Sequence, residues 1–254
     1  MTKLSVNVNK VATLRNARGG ELPRVMDAVE AVVRAGAPGV TVHPREDQRH
    51  IRPGDVYDIA RALGPPGGPV EFNIEGDPRP DLMALVLEVR PDQCTLVPVT
   101  PGEITSQAGW GPHNSGEPLR QAVADLRRAG VRVSLFVAAE EDAVRWAADH
   151  GADRIELYTE PYARAFARGP AEAETSFARF ARCAELAHDL GLGVNAGHDL
   201  DLDNLVRFRH LPHLAEVSIG HAIISRAVFV GLETVVREYL ALLRGAGEQD
   251  AVRA

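Results

Sequence analysis

Residues 4–20 read "LSVNVNKVATLRNARGG", and two readings of this stretch lead to two different folds. Leu4, Val6 and Val8 alternate with Ser5, Asn7 and Asn9, the period of a β-strand with one apolar face. An open, doubly wound α/β sheet that binds a dinucleotide would follow its first strand with G-x-G-x-x-G, glycines that let the backbone approach a diphosphate. Here the strand runs into Asn7, Asn9, Lys10, Arg15, Asn16 and Arg18 before Gly19 and Gly20. The fingerprint is lacking. The polar run is either an ordinary solvated turn or a loop that holds a polar ligand.

The rest of the chain repeats the opening pattern. β-Rich runs recur as "GVTVH" (39–43), "VEFNI" (70–74), "CTLVP" (94–98), "VRVSLFV" (131–137), "RIELY" (154–158), "LGVNA" (192–196) and "AEVSI" (215–219). Between them lie segments of helical period such as "LPRVMDAVEAVVRAG", "PDLMALVLEVR", "EPLRQAVADLRRAG" and "AEAETSFARFARCAELAHDLG". Several stop at a glycine, Gly36, Gly130, Gly151 or Gly191, where a left-handed cap is expected. Eight strand–helix units in 254 residues have the size and rhythm of a (β/α)8 TIM barrel. The expectation is one barrel domain over residues 1–246 with a frayed tail at 247–254, and the doubly wound sheet is the alternative. The cluster "GPPGGP" (64–69) is a long turn, not a domain linker.

Bulk properties exclude several classes of function. The formal net charge is -7 and no run of lysine and arginine forms a basic arm, so neither nucleic acid nor an anionic membrane is an expected partner. Cys94 and Cys183 are far apart in apolar segments, which supports neither a disulfide framework nor a thiolate zinc site. No stretch reaches the roughly 20 apolar residues of a membrane span, and "MTKLSVNVNK" has no signal-peptide apolar region. A cytoplasmic protein is expected.

In a barrel the active site lies at the C-terminal ends of the strands. Read in order, those ends present Asn7 and Asn9, His43 with Arg45, Glu75, Thr105 in the loop after the fourth strand, Glu156, His198, and Gly220 with His221. Only the fifth, "SLFV", presents nothing polar. Each residue also has a bland reading. His43 is either a satisfied structural histidine or the start of a functional loop, "HPREDQRHI". Glu75 is an acid aimed into a barrel mouth, costly unless paired or used. Glu156 sits inside an apolar strand, either in a buried ion pair or in the chemistry. His198 follows a strand and a glycine, where imidazole and backbone can both approach a ligand. In "SIGHAIISRAV" the strand ends, Gly220 permits close approach, and a helix begins, presenting free N–H groups and the positive end of its dipole.

The stretches "ATLRNARG" (12–19), "TVHPREDQRHI" (41–51), "VSLF" (133–136), "VNAGH" (194–198) and "IGHAIISRAV" (219–228) resemble the pyridoxine 5′-phosphate synthase family, in the family's order and through nearly the whole chain. The resemblance implies a (β/α)8 barrel, assembled as a homo-octamer. Such a barrel joins 1-deoxyxylulose 5-phosphate to 3-amino-2-oxopropyl phosphate without metal or organic cofactor. It implies Schiff-base formation, loss of one phosphate, ring closure and loss of water. Carried over by position, His43, Glu75 and His198 correspond to acid/base residues and Glu156 to a transition-state stabiliser. Asn7, Arg18, Gly220 and His221 correspond to contacts with the amino-ketone phosphate, and Arg45, His50 and Thr105 to contacts with the sugar phosphate. "VNVNKVATLRNARGG" then reads as the first strand and its substrate-binding loop.

The chain also departs from the family pattern. Where the family has N-x-D-H, this chain has "NVNK", with Asn9 for the aspartate and Lys10 for the histidine. Asp199 replaces the glycine after N-A-G-H, Val99 stands for a glutamate, and Tyr158 and Glu160 stand in "ELYTEPYA" for a histidine and a small-residue loop. If Asn9, Lys10 and Asp199 share one rim they mark a changed, amine- or carboxylate-bearing substrate, with Lys10 and Asp199 neutralising each other or holding a zwitterion. A related condensation on such a substrate is one alternative function. A barrel that binds a phosphorylated metabolite without turnover is the other.

Overall fold

Eight parallel strands close in sequence order into a barrel: β1 (Lys3–Asn7), β2 (Gly39–Val42), β3 (Glu71–Gly76), β4 (Gln93–Leu96), β5 (Arg132–Val137), β6 (Arg154–Tyr158), β7 (Gly193–Gly197) and β8 (Leu214–Ile219). The computed structural model describes residues 1–98, 109–114 and 116–245. Closure is made by β1 against β8, with Lys3 opposite Glu216, Leu4 opposite Val217, Ser5 opposite Ser218 and Val6 opposite Ile219. That pairing excludes the doubly wound alternative, in which the outer strands stay unpaired on one side. The strands fall within one or two residues of the runs read from sequence.

Helices α1 (Asn9–Asn16), α2 (Val25–Arg34), α3 (Pro53–Leu63), α4 (Pro80–Val89), α5 (Gly116–Arg128) and α6 (Glu141–Asp149) cover the first half of the barrel. They are followed by α7 (Glu160–Arg168), α8 (Pro170–Asp189), α9 (Leu205–Phe208), α10 (His221–Val230) and α11 (Leu232–Leu243). Gly36, Gly130, Gly151 and Gly191 take left-handed φ values of 79 to 94°, as expected of glycines that end helices. The segment after β1, expected to be a loop, is the helix α1. Its residues Val11, Ala12 and Arg15 share a buried face, and the Asn7 side chain accepts the Asn9 N–H at the helix start (3.0 Å), so burial overrides the polar composition. Helices α7 and α9 were not legible as periodic segments, being only 9 and 4 residues long. Among the described residues no helix is long and apolar enough to cross a membrane.

The two faces of the sheet carry opposite chemistry. Leu4, Val6, Val40, Val42, Ile74, Leu96, Val133, Leu135, Ile155, Leu157, Val217 and Ile219 are fully buried beneath the helices. The alternate residues fill the barrel interior and are polar: Ser5, Thr41, Asn73, Gln93, Thr95, Ser134, Asn195 and Glu216. Barrel interiors are more often layers of branched aliphatic side chains. Here hydrogen bonds replace that packing, between Ser5 Oγ and Thr41 Oγ1 (2.6 Å), from Asn73 Nδ2 to Thr41 Oγ1 (3.2 Å) and from Thr95 Oγ1 to Asn73 Oδ1 (3.1 Å). Gln93 ties four strands together. Its Oε1 accepts from Arg132 Nε (3.0 Å) and Asn195 Nδ2 (3.3 Å), and its Nε2 donates to Glu216 Oε1 (3.4 Å).

Candidate active site

At the C-terminal mouth the interior network ends on Glu75, the fifth residue of β3. Its carboxylate accepts from Asn7 Nδ2 of β1 (3.3 Å) and Ser218 Oγ of β8 (3.4 Å), and lies 3.6 Å from His43 Nδ1 just past β2. Three strands therefore converge on one acid. The His43 Nε2 atom is buried with no hydrogen-bond partner among the described residues, a polar group left open for a ligand or water. Asn9, expected to face substrate, is used for positioning: its Oδ1 accepts the His43 backbone N–H (2.9 Å). An aspartate could accept the same bond, so the Asn9 departure preserves the acceptor that seats His43.

Glu156, the third residue of β6, is 4% exposed, and its Oε2 has no partner among the described residues. No arginine among the described residues pairs with it, so the ion-pair reading finds no support there. Burial, and then the charges of Glu75 and Glu216, push its pKa well above the ordinary carboxylate range. The shift favours the protonated form of Glu156, the form that can donate a hydrogen bond in an acid/base site. The glycine in "NAGH" makes room for this: a Cβ on Gly197 would come within 2.5 Å of the Ser218 carbonyl and 2.9 Å of Glu156 Oε1.

His198 stands at the rim with a left-handed φ of 93°, uncommon for a residue with a side chain. Its Nδ1 is 2.8 Å from Asp199 Oδ2. Burial lowers its pKa, and the Asp199 hydrogen bond and charge, aided by Glu75, more than offset this and raise it. This overturns the expected pairing of Asp199 with Lys10. Asp199 is committed to the adjacent imidazole, and Lys10 makes no ion pair among the described residues. Lys10 nevertheless lies near enough to disfavour protonation of both His198 and His50.

The loop after β2 is held from below by α1. Arg15, 4% exposed, grips Asp55 through Nη1 (2.6 Å) and Nη2 (3.0 Å) and donates to the His50 carbonyl (3.0 Å). Asn16 Nδ2 donates to the same carbonyl (2.8 Å). Arg15 and Asn16 were missed as contributors in the sequence reading. The signal was the apolar spacing of "VATLRN", which puts Arg15 on the buried side of a helix. The loop so braced carries Arg45, which is buried, and His50. His50 Nδ1 accepts the Ile51 N–H (2.9 Å). Burial and the charges of His43 and Arg45 drive its pKa down to about 3, which favours a neutral ring whose Nε2 is the donor.

Gly220 ends the last strand and caps α10. A Cβ there would stand 3.0 Å from both Asn7 Cβ and the Asn7 carbonyl oxygen, so glycine lets β1 and the start of α10 approach. The first N–H groups of α10 lack acceptors within the helix and point to the mouth as a helix terminus does. The His221 side chain instead turns along α10 toward Ser225 Oγ (3.4 Å) and is exposed. Arg18 is exposed beyond α1, with no side-chain hydrogen bond or ion pair among the described residues. Thr105 and Val99 lie outside the described residues. The fifth strand contributes Phe136, whose ring lies 5.4 Å from Tyr158; Tyr158 in turn is 6.4 Å edge-on from His198. These rings form an apolar wall beside the acid/base groups.

A family model described as the pyridoxal phosphate biosynthesis protein PdxJ matches residues 4–245. The chain belongs to the PdxJ family. It is 51% identical over 245 residues to pyridoxine 5′-phosphate synthase of Bacteroides thetaiotaomicron, covering 96% of this chain and 100% of that one. It is 50% identical over 240 residues to the synthase of Porphyromonas gingivalis, covering 94% and 98%. Among solved structures, phosphoribosyl anthranilate isomerase from Thermus thermophilus superposes with a TM-score of 0.59 at 16% identity, over 96% of this chain and all of that one. That likeness is of fold alone. This PdxJ-family chain is thus an enzyme of pyridoxine biosynthesis, as its motifs implied.

Proposed function

We propose that this chain condenses 1-deoxyxylulose 5-phosphate with 3-amino-2-oxopropyl phosphate and closes the ring of pyridoxine 5′-phosphate. The observation that carries the reading is the convergence of His43, Glu75, Glu156 and His198 on one barrel mouth. Imine formation, ring closure and dehydration each need a proton given at one atom and taken at another. His43 and Glu75, 3.6 Å apart, form a proton-exchanging pair. Glu156, its carboxyl shifted toward the protonated form by burial, stabilises charge that develops on an oxygen. His198 delivers the proton to a leaving hydroxyl. The N-terminus of α10 suits one phosphate, and Arg45, His50 and Lys10 suit the other. The changed-substrate and binder readings are not favoured, since relatives at about half identity over the whole chain are named as the synthase.

The reading includes assembly into a homo-oligomer and residence in the cytoplasm. Val228 and Phe229 on α10 are 73% and 87% exposed, apolar surface that a second copy would cover, and both cysteines are free and buried. Incubation of the purified chain with the two phosphorylated substrates tests the chemistry: pyridoxine 5′-phosphate should appear by its ultraviolet absorbance, with release of one inorganic phosphate. Absence of product, with soluble folded protein and with no rescue of a bacterium lacking the synthase, would overturn it.

A further inference from the structure

The turn that carries His198 is held more tightly than a rim residue needs. Thr159, fully buried at the end of β6, donates its hydroxyl hydrogen to the Gly197 carbonyl (2.5 Å) and accepts the Asp199 N–H (3.2 Å). The His198 N–H donates to the Ser218 carbonyl of β8 (3.1 Å), and Asn204 Nδ2 donates to the Asp199 carbonyl (3.0 Å). Four hydrogen bonds to neighbouring elements thus sustain a left-handed φ at a non-glycine residue, a conformation that persists only where surroundings impose it. None of these four uses the Asp199 carboxylate. It is left to contact His198 Nδ1 at 2.8 Å.

We infer that Asp199 is a positioning residue for the proposed reaction: its carboxylate fixes the His198 ring through Nδ1–H, so that Nε2 alone is presented to the substrate. The inference rests on the proposed function only for the identity of the proton acceptor. Asp199 stands where the family pattern has glycine, so the backbone turn does not require it. A neutral histidine whose Nδ1–H is held by a carboxylate has its free lone pair on Nε2, and in the charged ring Nε2 carries the transferable proton. In the dehydration, Nε2 gives that proton to the departing hydroxyl as the C–O bond breaks and water leaves. The carbon-bound proton goes to Glu75, and its electron pair forms the new double bond. The ring keeps its second proton on Nδ1, shared with Asp199.

The groups facing His198 have opposing effects. Asp199 and Glu75 favour the charged ring, Lys10 opposes it, and Tyr158 meets it by a ring edge. Glu156 lies against the preceding glycine, its carboxyl pushed toward the neutral form by burial. The raised pKa of His198 agrees with the geometry.

The test is nitrogen-detected NMR of the full chain labelled at its nine histidines, with His198 assigned by its loss in His198→Asn. In the unmodified protein the neutral His198 ring should carry its proton on Nδ1. In Asp199→Ala the titration midpoint should fall by about 1 pH unit or more, the effect of removing an opposite charge in contact, and the neutral ring should move its proton to Nε2. Asp199→Asn keeps the size and removes the charge, so its midpoint should fall too, even if the alanine variant is unstable. Unchanged midpoint and tautomer in both variants overturn the inference, whether or not the chain makes pyridoxine 5′-phosphate. With turnover, the alkaline limb of kcat should move down by the same amount in Asp199→Asn with KM changed less than about threefold; a fall in KM-dependent binding alone, with the limb fixed, would assign Asp199 to substrate contact instead and overturn it.

Discussion

Glu75, His198 and Glu156 differ in what surrounds each, and their expected variants differ accordingly. Glu75 has three polar neighbours and His198 has Asp199, so Glu75→Gln and His198→Asn should fold and still bind phosphorylated ligand. Each should lose turnover by roughly 100-fold or more, the contribution of a placed acid or base. Near-normal steady-state rates in both would remove them from the chemistry. Glu156 is predicted to show itself in stability. Its carboxyl is raised above the ordinary value of 4.5 by burial and by Glu75 and Glu216. Such a group stabilises the fold fully below its unfolded pKa, and the contribution is lost as pH rises through the folded one. Glu156→Gln removes the titration. Its Tm relative to the unmodified protein should therefore climb as pH rises above the ordinary carboxylate value of 4.5. Parallel Tm curves would show that Glu156 is ionised in the fold.

At the scale of elements, α1 and the loop from His43 to Arg52 work as one unit. The loop's backbone has no partner strand, and Arg15 supplies what a strand would: donors to the His50 carbonyl and to Asp55, which also caps α3 by accepting the Arg52 N–H (2.8 Å). Arg15→Ala leaves a largely buried carboxylate without its cation. Removing one partner of a buried pair costs about 3–5 kcal/mol, and the partial exposure of Asp55, at 15%, places the expectation near the lower end. Urea denaturation measures it. Arg15→Lys should recover part, because an ammonium keeps the charge but not the two-pronged geometry. KM for the sugar phosphate should rise in both, since Arg45 and His50 ride on the loop. An alanine variant of undiminished stability would mean that the loop is braced from elsewhere.

At the scale of the whole molecule, the polar interior makes barrel closure a matter of hydrogen bonding as well as apolar burial. Gln93 is 1% exposed and joins residues of β5, β7 and β8 to β4. Gln93→Leu fills a similar volume yet leaves Arg132, Asn195 and Glu216 each short of a partner. With about 1–3 kcal/mol for each unsatisfied buried group, and other partners retained, a loss on the order of 3 kcal/mol is expected. Chemical denaturation with a two-state fit would register it, and a neutral variant would show that the interior re-satisfies these groups without Gln93. The same interior explains why Glu75 can end the column. A carboxylate above layers of threonine, asparagine and glutamine meets hydrogen-bond donors where an aliphatic plug would offer none.

The sequence by itself determined the barrel, because eight alternating strands separated by glycine-stopped helices leave few other ways to bury both faces of a parallel sheet. It determined the rim too: a residue at a strand end must face the mouth, so Asn7, His43, Glu75 and His198 were readable as neighbours from strand number alone. Tertiary structure decided what sequence position cannot encode, namely which group faces which. That Asn9 seats His43, that Arg15 braces the loop carrying His50, and that Asp199 takes His198 and not Lys10 all depend on contacts across elements. The helical state of α1 was hidden for the same reason, since its polar residues are stabilised by partners on other loops. Glu156 could be placed inside the barrel by strand period, but its charge state could not. Protonation depends on the field of every neighbour and on the loss of water, and both exist only once the barrel has closed.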